Sequence, residues 1–148
     1  MTLLATAFVL IAASKIAPAL PKRVPFPADA AIALVAHELR DSASHVSCLS
    51  VDGKDPSGEL MAAVKSTLAT VEPRSACSAK PNHRLVHTLS GKSASHVQLA
   101  NFTNLSATTA SATYSVYFGP LMGHQSTARF RLESGRWIVV AVKSYGAF

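Results

Sequence analysis

The stretch Ala128–Tyr145, ARFRLESGRWIVVAVKSY, decides how the rest of the 148-residue chain is read. Its first half alternates. Ala128, Phe130 and Leu132 fall on one side and Arg129, Arg131 and Glu133 on the other, which is the period of a half-buried β-strand. Its second half carries the single Trp of the sequence and a dense β-branched run. Ser134-Gly135 between the halves predicts a two-residue hairpin turn. In that register Leu132 faces Trp137, Phe130 faces Val139 and Ala128 faces Ala141, an apolar side that must meet other elements. The opposite side sets Arg129, Arg131 and Arg136 beside Ile138, Val140 and Val142. It is too apolar for plain solvated surface and is the candidate interaction surface. A bulge at Gly135 would shift the register by one residue and mix the two sides.

Working back from this hairpin, strand patterns continue to His83. They cover Thr108–Phe118, Ser95–Phe102 and Arg84–Leu89, with turns at Gly119-Pro120, Thr103-Asn104 and Ser90-Gly91-Lys92. On the longest, Ala110, Ala112, Tyr114, Val116 and Phe118 share one side. Arg74–Asn82 has no period and reads as loop. Before it the period lengthens. Ser57–Val71 places Leu60, Val64, Leu68 and Val71 on one helical stripe behind a Ser57 cap, and Pro73 stops it. Ala28–Ser42 places Ile32, Val35 and Leu39 likewise. A short alternating strand, His45–Val51, and an Asp52-Gly53 turn lie between the two helices. The order predicts an α+β fold, with N-terminal helices packed on a curved antiparallel sheet of about five to six strands.

The length fits one domain, able to bury about 70% of its unfolded surface. With 49% hydrophobic and 15% charged residues, the composition excludes a disordered chain. The net charge of +6 is unevenly spread. Ala28–Pro73 holds seven acids and three bases, whereas Arg74 onward holds eight bases and only Glu133 as an acid. The bases are scattered and not interleaved with aromatics, so no nucleic-acid partner is expected. A Lys/Arg-decorated sheet is the plainer reading.

Leu3–Ala13 is an apolar run followed by Ala17-Pro18-Ala19, the pattern of a signal peptide over residues 1–19. Residues 20–27 form a proline-rich linker and 28–148 the folded domain. Export to the periplasm or beyond follows, and an uncleaved N-terminal segment would be the only membrane attachment. Two cysteines in an exported chain predict one disulfide, Cys48 to Cys77. Neither sits in a C-x-x-C pair. Asn101-Phe102-Thr103 and Asn104-Leu105-Ser106 match glycosylation sequons but read as ordinary turn asparagines.

The run TYSVYFGP (113–120), a Gly-containing loop and the Ala128–Tyr145 hairpin together resemble the end of an NTF2-like domain, the cystatin-like α+β roll. The resemblance covers about the last quarter of the chain. It implies a cone-shaped roll that can hold a small ligand, with a possible homodimer through the sheet face. Such domains usually carry more helix before the first strand, and a loop disulfide is not part of their pattern.

An enzyme of the isomerase or dehydratase kind on that fold needs a buried base. The strands supply no Asp and only Glu133, at a hairpin tip. Tyr114 is a hydrogen-bond donor candidate, and His83, His87 and His96 are the remaining pocket candidates. His83 and His87 share a strand side, but their spacing separates them by roughly 13 Å. No cofactor or metal is expected, and no phosphate loop or nucleophile motif occurs. The sequence therefore favours an exported, non-catalytic binding or accessory domain for an unknown small ligand or protein partner. Its alternatives are an NTF2-like enzyme using His and Tyr, and an envelope interaction protein using a basic sheet face.

Overall fold

A computed structural model describes residues 20–41 and 45–147. The signal-peptide expectation for residues 1–19 falls outside the described residues. Over the described residues the fold is α+β, with two α-helices and a mixed sheet of seven strands. In chain order the elements are β1 (Lys22–Arg23), α1 (Ala28–Glu38), β2 (Val46–Val51), α2 (Gly58–Thr67), β3 (Val71–Pro73), β4 (Cys77–Ala79), β5 (Leu85–His87), β6 (Ala94–Asn104), β7 (Thr109–Gly119), β8 (Met122–Glu133) and β9 (Arg136–Ala147). The main sheet runs β3-β2-β6-β7-β8-β9, with β1 also on β6, and β4 and β5 pair separately.

Two expectations about the sheet are corrected. It has seven strands, because Lys22–Arg23 and Val71–Pro73 add pairings too short to show a period. It is also not wholly antiparallel: β2 runs parallel to both β3 and β6. The chain crosses over between β2 and β6, so these strands meet in the same direction.

α2 stops earlier than its stripe suggests. Ser57 caps it, accepting from the Leu60 amide at 3.2 Å. The helix ends at Thr67, and Val71 opens β3 instead of closing the helix. Pro73 is tolerated there because β3 is an edge strand. α1 buries Ala30, Ala31, Leu34 and Val35, so its core face centres on Leu34 and leaves Ile32 half-buried. Two alanines let the helix approach the sheet closely.

The core lies between the helices and one sheet face. Leu49, Val97, Leu99, Tyr114, Val116, Ala128 and Phe130 face Leu34, Val35 and Val64 across it. The proline-rich stretch joins this core. Val24 donates its amide to Phe102 O at 3.0 Å, and the Phe26 ring lies 5.1 Å from that of Phe102. On the opposite face, near β2 and β6, Leu85 and Ala94 pack around the Cys48–Cys77 disulfide, whose Cα atoms are 6.3 Å apart.

The β8–β9 hairpin turns at Ser134-Gly135, both with positive φ (48° and 76°), the geometry of a type I′ turn. Leu132 pairs with Trp137 and Phe130 with Val139. Ala128, however, pairs with Val142 and not with Ala141, because Val140 has no partner on β8. The bulge lies at Val140 and not at Gly135. Beyond it Val142 turns toward the core, which corrects its expected place on the outer side.

Candidate functional site

β7 and β8 carry polar side chains into the helix-facing side at one end of the sheet. Tyr114, a pocket candidate on the apolar side of its strand, lies in the core at 2% exposure. Its hydroxyl donates to Glu38 Oε1, on the last turn of α1. The other carboxylate oxygen meets His124 Nε2 at 3.1 Å. The His124 ring stands edge-on to Tyr114, with centroids 6.1 Å apart. Burial, followed by the hydrogen bond to Glu38, pushes the Tyr114 phenol well above its ordinary pKa, so it remains a donor. A carboxylate, a phenol and an imidazole thus converge. Tyr114 was marked by its place in the alternation, but Glu38 and His124 were not.

The three candidate histidines are separated. His96 sits on the opposite sheet face, with Ser50 Oγ at 2.8 Å from its Nε2. Burial, assisted by the Arg74 charge, pushes it down to about 4. His87 is not placed opposite His96. It pairs with Cys77 in the two-stranded sheet and bonds Ser90 through Nδ1 at 2.8 Å. An isolated bridge, Val86–Ser93, joins β5 to the residue just before β6. His83 is exposed with φ 61°, and its carbonyl accepts from the Tyr117 hydroxyl at 3.0 Å. Among the described residues no group of three or more His, Cys, Asp or Glu side chains gathers to hold a metal.

A cavity of about 570 Å³ opens at the same end of the sheet. Leu85, Ala94, Phe118, Pro120 and Met122 give it apolar walls, while His45, Asn82, Arg84, Ser93 and Ser95 supply polar groups. Arg84 reaches Ser93 Oγ at 3.2 Å, and no described carboxylate pairs with it. Its charge is therefore available to a ligand. Phe118 is the shared wall: it lines the cavity, and its ring lies 6.2 Å from that of His124. Glu38, Tyr114 and His124 do not themselves line the cavity.

The outer face of β7–β9 presents Arg129 and Arg131, both exposed, with Arg131 tied to Glu133 and cross-strand from Ile138. Arg136 is exposed at the turn, and Val140 is exposed at the bulge. A shallow groove of about 490 Å³ joins Arg129, Lys143 and Tyr145, with the Lys143 ammonium 5.4 Å from the Tyr145 ring centre. Among the described residues no helix is long and apolar enough to cross a membrane. Comparison with protein families, with curated proteins and with solved structures finds no match to the chain.

Proposed function

We propose that the chain is an exported, non-catalytic binding domain of the NTF2-like roll type, and that the cavity at the end of its sheet holds a small amphipathic anion. The observation that carries this is the lining itself: apolar walls with Arg84, a cation that no described carboxylate pairs, at the polar side. Pockets of this size with few polar groups suit ligands whose apolar body supplies affinity and whose head supplies orientation. The buried Cys48–Cys77 bridge supports export, since such bridges persist in oxidising compartments. Two helices packed against one face of a long antiparallel meander support the roll. The outer sheet face carries Arg129, Arg131 and Lys143. A two-fold pairing of that face would oppose like charges, so it suits an acidic partner better than a second copy.

Titration calorimetry with a medium-chain carboxylate such as decanoate tests the reading. Saturable binding is expected, and Arg84→Gln is expected to weaken it about tenfold, the value of one charge-assisted contact. Absence of binding, or equal binding by the variant, overturns it. A second reading, acid–base catalysis, is favoured by the Glu38–Tyr114–His124 convergence. Turnover of a carbonyl substrate that is lost in Glu38→Gln would put that reading first.

A further inference from the structure

The β7–β8 turn is an exposed apolar tip. Gly119 pairs with Met122 across it, leaving Pro120 and Leu121 at the apex. Leu121 is 92% exposed, Met122 60% and Phe118 45%. Leu121 also has φ 56°, a conformation that Gly or Asn adopts with less strain. A leucine held there carries that backbone cost while its side chain stays almost wholly exposed.

The surroundings of the tip are cationic. Arg84 lines the same cavity as Phe118, Pro120 and Met122. Lys80 lies across the 80–84 turn, its amide donating to Arg84 O at 2.8 Å, and exposed Lys92 precedes the cavity residue Ser93. Residues 77–95 and 117–124 at this end contain no Asp or Glu, and the segment that brings His45 to the cavity carries Asp41 next to Arg40. Glu38, the carboxylate behind the tip, is bonded to Tyr114 and His124.

We propose that this end of the domain docks on an anionic lipid bilayer, with Leu121 and Met122 inserted at the acyl boundary and Lys80, Arg84 and Lys92 against the headgroups. Shape favours a bilayer over a protein. A protruding two-residue apex buries little area on a flat protein face but enters the headgroup layer fully. Apolar insertion combined with nearby cations is the combination that holds peripheral domains on anionic membranes. The surface shares Arg84 and Met122 with the cavity wall, whereas Leu121, Lys80 and Lys92 lie outside it.

The test uses the full chain labelled with an environment-sensitive fluorophore at Leu121→Cys and, separately, at Ala107→Cys in the exposed β6–β7 turn at the opposite end. The native cysteines are bonded to each other, so the label is directed to the new thiol. Vesicles of phosphatidylcholine and phosphatidylglycerol in equal parts are expected to blue-shift the label at 121 and not that at 107. The shift should weaken with pure phosphatidylcholine and at high salt. No shift at 121 overturns the proposal, and so does a shift at 107 instead, which would put the other end on the membrane. A shift at 121 that appears without vesicles as protein concentration rises makes the tip a self-association surface and overturns it equally.

Discussion

His96 is half-buried between β2 and β7, with Ser50 on its Nε2. Its folded pKa of about 4 lies below the ordinary 6.5, through burial first and the Arg74 charge second. Between those values the unfolded chain binds a proton that the folded chain does not. The contribution of His96 is therefore fully present above about pH 6.5 and is lost as the pH falls toward about 4. Urea unfolding across that window should show a falling midpoint, with a shallower pH slope in His96→Gln. Tyr114 makes a second residue-scale case. Tyr114→Phe removes the donor to a mostly buried carboxylate and should cost about 1–3 kcal/mol in urea unfolding, because Glu38 loses one of its two partners. Full stability in the variant would show that Glu38 is solvated some other way. The side on which Tyr114 lies was legible, since alternation along β7 carries it. Its partner was not: Glu38 is 76 positions away on a helix, and a tertiary pair between two elements leaves no period in either.

α1 is bound to the sheet at both ends. Glu38 holds its last turn, and Asp29 holds its first, accepting from the Trp137 amide on β9 at 2.7 Å. Pro27, at the N-cap position, has no side-chain bond to offer. Asp29→Ala should therefore expose an unpartnered strand amide and lower stability by about 1–2 kcal/mol, with Asn at the position restoring most of it. Amide exchange at Trp137 reports the loss directly; unchanged exchange there would rule out this role for Asp29. The β8–β9 register was legible near the turn, where Ser134-Gly135 fixes it. It was lost beyond Val139, because Ile138, Val139 and Val140 have nearly equal hydropathy and alternation cannot say which of them is extra. Mixed strand direction was hidden for a related reason. An apolar strand such as VSCLSV reads alike whether its neighbour runs with it or against it.

For the molecule as a whole, there are two cores, and the disulfide lies within the smaller, tying β4 to β2 of the main sheet. The larger one lies under the helices, and the smaller holds Cys48, Cys77, Leu85 and Ala94 beneath the β4–β5 hairpin. The bridge spans 29 positions, for which chain entropy gives about 3–4 kcal/mol. Replacing both cysteines with alanine should remove most of that in chemical unfolding. It should also loosen the hairpin that supplies Asn82, Arg84 and Leu85 to the cavity, so ligand affinity should fall along with stability. Retained affinity would mean that the wall stands without its clasp. Both margins of the main sheet are shaped as well. One ends in the three-residue β3, closed by Pro73. The other is β9, whose ladder is broken at Val140 and Tyr145 and whose Trp137 amide is taken by Asp29. Among the described residues, neither margin offers the straight run of free amides that another strand would need for templating. A chain this rich in β-structure should therefore resist growing into fibrils even where many copies crowd together.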